Sequence, residues 1–314
     1  MLYHDNIMFT IALTNVLVTL CYILPGFGLC KWGKVSEKHL STISTILVYL
    51  CSPCMIISAL LQLPLTAKFA ADMGLFFVIT LALQLLFMLI IYLIFRKKYD
   101  NPQYRVLTVA SVMGNVSFFG MPIIKALFPN DPELMAFSCV ASLALNILVF
   151  TAGVFCVTGD KRNVNIFKGI FNPNTIGFAI GIALSAVNAG SFLPEALANA
   201  VRLLGDMSTP VCMIILGIRL ASVSFSKLFT RPIVYAAVIM KLIVFQLFCY
   251  AAVYFLPLTQ TFKASMLILS AAPCASMVLN VAEIYHGETE LSANCVLLAT
   301  LSCFITIPLL TLLL

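Results

Sequence analysis

Charged residues are scarce in this chain: only 10% of its 314 residues are Asp, Glu, Lys or Arg. A soluble domain carries about 25% of such residues, so the composition excludes an ordinary soluble protein. The mean hydropathy is +1.07 and 62% of the residues are hydrophobic, which favours a protein embedded in a lipid bilayer. The net charge of +6 comes from basic residues between apolar segments, and we predict no nucleic-acid partner.

Patterns typical of catalytic and metal sites are also missing. The three histidines, His4, His39 and His286, lie at or near connections, and H-E-x-x-H, G-x-S-x-G and P-loop motifs do not occur. The C-x-x-C pair of Cys51 and Cys54 lies in an apolar segment without a thioredoxin-like βαβ context, so it indicates packing rather than redox chemistry. We therefore expect neither an enzyme nor a metal or organic cofactor.

Long apolar runs dominate the sequence instead. A helix of about 20 apolar residues crosses the hydrocarbon core of a bilayer. Ten such runs occur, at residues 7–29, 40–63, 70–95, 106–127, 134–157, 172–189, 197–220, 233–256, 262–285 and 291–314. The first run lacks a basic region before it, so we expect a membrane span rather than a cleaved signal peptide. The runs predict an all-α membrane protein with ten transmembrane helices.

Lysine and arginine cluster in alternate connections. The connections after runs one, three, five and seven contain Lys31, Lys34, Lys38, Arg96, Lys97, Lys98, Arg105, Lys161, Arg162, Lys168, Arg219, Lys227 and Arg231. The even-numbered connections hold little beyond Lys68 and Lys263. Because cytoplasmic loops carry an excess of basic residues, the odd connections are predicted to be cytoplasmic and both termini extracytoplasmic.

The fourth run is interrupted near its middle. Gly114-Asn115-Val116-Ser117-Phe118-Phe119-Gly120-Met121-Pro122 places two glycines and a proline within nine residues, which a continuous helix accommodates poorly. Irregular backbone at membrane depth is tolerated where it is buried in protein or lines a wet cavity. We expect a broken helix whose second half begins at Pro122, with free N–H groups that favour an anion. A kinked structural helix is the alternative.

The two halves of the chain resemble each other at an offset of 157 residues. Ser52-Pro53-Cys54-Met55 in run two is echoed by Thr209-Pro210-Val211-Cys212-Met213 in run seven. The same offset carries Asn115 into the segment Ser270–Ser276 of run nine, which contains Pro273. Five is an odd number of spans, so the second copy enters from the opposite side. The pattern predicts a 5+5 inverted repeat, residues 1–157 and 158–314, with interrupted spans four and nine, as in secondary transporters.

These motifs resemble a known family, the auxin efflux carriers, over nearly all ten runs. Gly114-Asn115-Val116 with Gly120-Met121-Pro122-Ile123-Ile124-Lys125 resembles its G-N-T…G-I-P-L-L-K motif, and residues 272–285 resemble its ninth-span signature. Asp72 and Asp206 match acidic positions in its third and seventh spans. The resemblance implies the fold of sodium/bile-acid symporters and NhaA-type antiporters, in which broken helices four and nine cross.

The resemblance also implies a mechanism. In this family a crossover transport domain (spans 3–5 and 8–10) moves like an elevator against a scaffold (spans 1, 2, 6 and 7), weak-acid anions are the substrates, and homodimers are frequent. Plant auxin exporters have a long central loop, a second proline where this chain has Val278, and a lysine where it has Phe76. These departures favour a bacterial metabolite permease over an auxin exporter.

Several polar residues inside the runs are candidates for the site. The expected substrate-binding residues are Gly114, Asn115, Gly120, Pro122, Asn146, Pro273 and Asn280. Interhelical hydrogen bonding is the alternative role for Asn146, and capping or packing for Asn280. The candidates for coupling or support are Lys241, Asp72, Asp206 and Glu283. The alternative for Asp72 and Glu283, which lie near the ends of their runs, is a position at the membrane interface. For Asp206 we favour an ion pair within its own helix with Arg202, four residues earlier.

Lys241 lies about eight residues into run eight, roughly 12 Å deep at 1.5 Å per residue. A charge inside a membrane is a functional hypothesis by default. Lys241 either supports the crossover domain, with Glu283 as the first candidate partner, or snorkels to the cytoplasmic surface. We favour snorkelling slightly.

The sequence thus predicts a secondary transporter in the plasma membrane that moves a small organic anion, a carboxylate such as malonate, malate or an indole acid. An anion channel and a sodium-coupled symporter of the bile-acid type are the alternatives. Whether protons, sodium or the membrane potential drive transport stays open.

Overall fold

The first helix begins at Leu2, ahead of the apolar span that starts at Ile7. The computed structural model describes residues 2–61, 63, 65–222 and 231–313, with side chains from residue 7. No β-strand forms within these residues. Lys227, one of the basic residues behind the predicted orientation, and the side chain of His4 lie outside them.

The main helices follow one another closely. In chain order they are α1 (Ile7–Lys31), α2 (Glu37–Leu61), α3 (Ala67–Lys98), α4 (Pro102–Ala110), α5 (Val116–Leu127), α6 (Pro132–Thr158), α7 (Ile166–Ile170), α8 (Pro173–Ala186), α9 (Glu195–Ser222), α10 (Pro232–Tyr254), α11 (Gln260–Ser270), α12 (Ser276–Ile284) and α13 (Thr289–Leu313). In the described part of the chain, seven of them are long and apolar enough to span a bilayer: α1, α2, α3, α6, α9, α10 and α13. The protein is therefore an all-helical, multi-pass membrane protein, as predicted.

Short polar residues set where several helices begin. Asn101, Asp131 and Asn172 each precede a proline, and each side chain accepts a hydrogen bond from a backbone N–H of the first turn. Proline fits the first helical position because its missing N–H would have no partner there. These cap-and-proline pairs start α4, α6 and α8 at defined residues.

Two helical segments are broken, and the breaks cross each other. Residues 111–115 separate α4 from α5, and residues 271–275 separate α11 from α12. Gly114 and Cys274 form an antiparallel bridge at the crossing. The Asn115 N–H donates to the Pro273 carbonyl at 2.7 Å, and the Ala275 N–H donates to the Met113 carbonyl at 2.9 Å. Each break thus satisfies backbone groups of the other, as hydrocarbon surroundings require.

The prediction that the second half of the fourth run begins at Pro122 is wrong. The helix α5 begins at Val116, because the Asn115 side chain accepts from the Phe118 N–H and caps it there. The first turn is wide, and the Gly120 N–H reaches back five residues to the Asn115 carbonyl at 3.1 Å. Pro122 follows this turn inside α5.

Helices α1, α2, α8 and α9 pack closely through glycines. A Cβ atom added to Gly177 of α8 would lie 2.9 Å from the Cα of Pro53 in α2. One added to Gly205 of α9 would lie 2.7 Å from the Cα of Met55. Small residues let membrane helices approach until their backbones touch, where dispersion forces are strongest. These four helices form a tightly packed group.

An aromatic cluster joins helices on the other side of the crossing. Phe76 of α3, Phe137 of α6 and Phe262 of α11 are almost fully buried. Their ring centroids lie 4.7–5.4 Å apart, in the range of favourable aromatic pairs. The cluster holds α11, which carries one of the breaks, against α3 and α6.

Candidate functional site

A cavity of about 370 Å³ lies against the crossing, and we call it the crossover cavity. Helices α2, α5, α6, α7, α8, α9 and α12 contribute its walls. Its polar and basic lining includes Ser52, Asn115, Ser117, Ser142, Asn146, Lys168, Asn174, Arg219, Ser276 and Asn280. Among the described residues no Asp or Glu lines it.

The first turns of two half-helices face this space. Asn115–Phe118 begin α5 and Ala275–Met277 begin α12, and both segments line the cavity. The N-terminal N–H groups of a helix lack partners within it and carry partial positive charge. Together with Lys168 and Arg219, the two termini make the crossover cavity electropositive.

Three of the predicted residues, Asn115, Asn146 and Asn280, meet in the crossover cavity. Asn115 and Asn146 are buried. The side-chain nitrogen of Asn146 has no hydrogen-bond partner in the described part of the structure. Ser117 and Ser142 share a hydrogen bond of 2.6 Å in the wall between α5 and α6. The cavity therefore offers amide and hydroxyl groups from three different helices to a polar ligand.

Arg219 of α9 is the charged residue most deeply embedded in this wall. Its side chain is only 12% exposed. The guanidinium forms an ion pair with both carboxylate oxygens of Glu283 on α12. It also donates to the side-chain oxygen of Asn280 at 3.3 Å. Arg219 lies near the end of run seven, where a basic residue is expected at the membrane interface, so the sequence alone did not place it in the cavity.

The other residues predicted at the breaks have different surroundings. Gly114 and Pro273 belong to the crossing itself, and Gly120 lies in the first turns of α5. None of the three lines the crossover cavity. A Cβ on Gly120 would lie 3.2 Å from the Leu269 side chain of α11. Pro122 lines a second cavity. Gly114, Gly120 and Pro273 thus shape the backbone around the site.

Lys241 lies behind the crossing, on the side away from the crossover cavity. Its side chain is 1% exposed, and its ammonium group donates to the Ser270 carbonyl at 2.7 Å. The Phe245 ring centroid lies 4.6 Å from Nζ, close enough for a cation–π contact. Snorkelling is therefore wrong, because the side chain turns inward to the C-terminus of α11. The pairing with Glu283 is also wrong, because Glu283 binds Arg219.

A small space of about 20 Å³ surrounds Lys241. Gly114 lines it, and a Cβ atom there would lie 3.0 Å from Nζ. Thr80 and Gln84 of α3 line it too, and in the described structure their side-chain oxygens have no hydrogen-bond partner. The carbonyl end of α11 carries partial negative charge, which the ammonium group compensates.

The second cavity, of about 600 Å³, lies toward the opposite end of the helices. Lys125 and Asp206 line it and form an ion pair at 3.1 Å, so we call it the Lys125 cavity. The predicted pair of Asp206 with Arg202 is wrong. Asp206 pairs with Lys125 of α5 instead. An ion pair within a helix is less favourable when the acidic residue follows the basic residue by four positions, as Asp206 follows Arg202.

A thin layer separates the two cavities. Along α9, Pro210 lines the Lys125 cavity and Cys212 the crossover cavity. Along α5 the linings change between Phe118 and Met121. At 1.5 Å per residue, the layer is roughly 3–5 Å of helix thick. Asp72, the remaining candidate, lines neither cavity.

Comparisons with known proteins agree with this architecture. The sequence profile of a family described as membrane transport protein matches residues 11–167 and 160–311, almost the whole chain. The chain belongs to this family. The resemblance to auxin efflux carriers is thereby confirmed, and the protein is a multi-pass membrane transporter.

Two similar proteins have been named as transporters without a stated substrate. An uncharacterized transporter of Methanothermobacter thermautotrophicus is 23% identical over 301 residues, which cover 94% of this chain and 96% of the relative. An uncharacterized transporter of Methanocaldococcus jannaschii is 22% identical over 303 residues, 95% of this chain and 97% of the relative. The likeness thus extends over nearly the full length of both relatives.

Proposed function

We propose that this transporter moves a small organic anion, a carboxylate, across the plasma membrane by alternating access. The electropositive crossover cavity carries this proposal. Two half-helix N-termini, Arg219 and Lys168 meet there, and no carboxylate among the described residues lines the space. Helix N-termini and guanidinium groups both favour carboxylates. The cavity of about 370 Å³ accommodates a metabolite-sized acid.

The two cavities support alternating access. They approach each other from opposite ends of α5 and α9, and less than one helical turn lies between them. A small displacement of the crossing relative to α9 would transfer a bound ligand from one cavity to the other. We propose an elevator-type displacement of a crossover transport domain (α3–α6 and α10–α13) against a scaffold of α1, α2, α8 and α9. The close glycine contacts among the scaffold helices favour this division.

We propose that the protein has ten spans in a 5+5 inverted repeat, residues 1–157 and 158–314. The seven long helices supply seven spans, α8 is a short eighth, and the interrupted pairs α4/α5 and α11/α12 are the other two. Basic residues at the ends of α1, α3 and α9 favour extracytoplasmic termini. The crossover cavity then opens to the cytoplasm. Homodimers, as in similar carriers, would form on the scaffold.

Lys241 favours transport without a coupling sodium ion. Its ammonium group already supplies positive charge at the C-terminus of α11, where carbonyl oxygens would otherwise attract a cation. Neither Asp72 nor Glu283 contacts Lys241, so these carboxylates form no lysine–carboxylate pair with it that could exchange a proton. We propose that Lys241 supports the crossing and that the anion moves down its own electrochemical gradient.

Counterflow in proteoliposomes tests the function. Vesicles preloaded with an unlabelled acid (benzoate, malonate, malate or indole acetate) should accumulate the same labelled acid transiently. Asn115→Ala should abolish this accumulation, because it removes the amide at the crossing, while the protein still inserts and elutes as a single species. Asn199→Ala, on a residue of α9 that lines neither cavity, is the matched control. Ohmic anion currents without counterflow would refute the carrier and favour an anion channel.

A further inference from the structure

The pair formed by Arg219 and Glu283 connects the scaffold to the crossing. Arg219 lies on α9, and Glu283 lies on the last turn of α12, whose first turn lines the crossover cavity. Asn280, one turn before Glu283, accepts from the same guanidinium at 3.3 Å. Arg219 therefore holds the half-helix α12 against α9 through two side chains.

The two partners of this pair differ in their surroundings. The Arg219 side chain is 12% exposed and lines the cavity, whereas that of Glu283 is 43% exposed and does not line it. The Nε donor of Arg219 is buried and has no acceptor among the described residues. Glu283 can thus turn toward solvent at little cost, while the buried guanidinium requires an acceptor.

A guanidinium binds any carboxylate in the same forked geometry. A carboxylate ligand in the crossover cavity can therefore form the same ion pair with Arg219 that Glu283 forms. Lys168 is the other cation along this wall. Replacement of Glu283 by a ligand also removes one of the two ties between α9 and α12. Binding energy would then favour the state in which α12 is free to move, as a ligand-driven transition requires.

We propose that Arg219 binds the carboxylate of the substrate and that Glu283 is an internal competitor that occupies Arg219 while the cavity is empty. This inference rests on the proposed transport of a carboxylate, and it names the residue that recognises the charged group and the contact that recognition breaks.

Two single variants and their combination test the inference by direct binding. Purified protein is titrated with benzoate, malonate and succinate by calorimetry and thermal shift, with benzamide and malonamide as uncharged analogues. Arg219→Gln should weaken binding at least about tenfold, the effect of losing a charge-assisted hydrogen bond. Glu283→Gln should strengthen binding several-fold, because the competitor has lost its charge. The amides should not bind.

The double variant Arg219→Gln/Glu283→Gln separates recognition from structure. It removes both charges, so neither is left buried without a partner, and it should fold. If Arg219 binds the ligand, the double variant binds the acid as weakly as Arg219→Gln does. If the pair only stabilises the fold, the double variant regains wild-type affinity, and the inference is wrong.

A second arginine–carboxylate pair is the matched control. Asp160 and Arg162 form an ion pair at 2.7 Å in a connection outside both cavities. The variant Asp160→Asn/Arg162→Gln should bind the acids with wild-type affinity. If no acid binds the wild-type protein, the proposed function fails. If an acid binds the wild type and Arg219→Gln equally well, only the role of Arg219 fails.

Discussion

The contact between α1 and α9 permits a quantitative prediction about the scaffold. Gly26 of α1 is buried against the backbone of Ile214 in α9. A Cβ atom at position 26 would lie 2.8 Å from the carbonyl carbon of Ile214 and 3.0 Å from its Cα, and nearer still to its carbonyl oxygen. Gly217 faces the α1 backbone at Ile23 and Phe27 in the same way. Gly26→Ala therefore inserts a methyl group where two backbones touch.

The size of the effect follows from these distances. Carbon atoms pack best about 3.5–4.0 Å apart, so the helices must separate by roughly 0.7 Å or more. A gap of about 0.5–1 Å forfeits a quarter to a half of the dispersion energy of the remaining contacts. Overpacking of this kind costs about 1–3 kcal/mol, and the helix propensity gained from Gly to Ala returns at most about 1 kcal/mol. We expect Gly26→Ala to be destabilising by about 1–2 kcal/mol.

Gly28, two residues later in the same helix, provides the control. A Cβ atom there meets nothing within 4 Å. Gly28→Ala should therefore be neutral or stabilising, by up to about 1 kcal/mol. The assay is thermal unfolding of detergent-purified protein followed by size-exclusion fluorescence, with both variants run beside the wild type. Equal melting temperatures for Gly26→Ala and Gly28→Ala would refute close packing of α1 against α9.

Two further predictions concern Lys241 and the orientation. Lys241→Met keeps the apolar stem of the side chain but removes the ammonium group, so the Ser270 carbonyl loses its donor at a cost of about 1–3 kcal/mol. Counterflow should fall strongly. Lys241→Gln should retain part of the activity, and sodium should not stimulate counterflow by the wild-type protein. Normal counterflow of Lys241→Met from pH 5.5 to 8 would exclude a role for Lys241. Cysteines introduced at Lys34 and Lys161, in a variant whose accessible native cysteines have been replaced, should react with membrane-impermeant maleimide only after permeabilisation. Labelling of either position in intact cells would reverse the proposed orientation.

Much of the fold could be predicted from the sequence because membranes restrict the choices. Apolar runs of about 20 residues have few alternatives to helices, and polar caps such as Asn172 define where the helices begin. Two glycines and a proline in run four, and Pro273 among small residues in run nine, indicated the breaks. The sequence did not locate the start of α5, because a side-chain cap at Asn115 and one wide turn outweighed the usual preference of Pro122 for the first helical position.

The site was less accessible to sequence reasoning. The interruption of run four and the family resemblance indicate Asn115, and the position of polar residues inside apolar runs indicates Asn146 and Asn280. All three line the crossover cavity. The partners of charged residues could not be predicted, because they come from distant helices. Glu283 binds Arg219, 64 residues away along the chain, and Asp206 binds Lys125, 81 residues away. An arginine within the last turns of an apolar run was the one available signal for Arg219.

The crossing explains why an anion site and a buried ammonium group can lie so close together. The two half-helices that start at the crossing, α5 and α12, direct their positive N-termini toward the crossover cavity. Two half-helices end there, α4 and α11. The negative C-terminus of α11 lies on the other side of the crossing, where the Ser270 carbonyl accepts from Lys241. One pair of breaks thus creates two regions of opposite potential back to back. Lys241 compensates the negative region permanently, which leaves the positive region to be compensated by Glu283 or by a ligand.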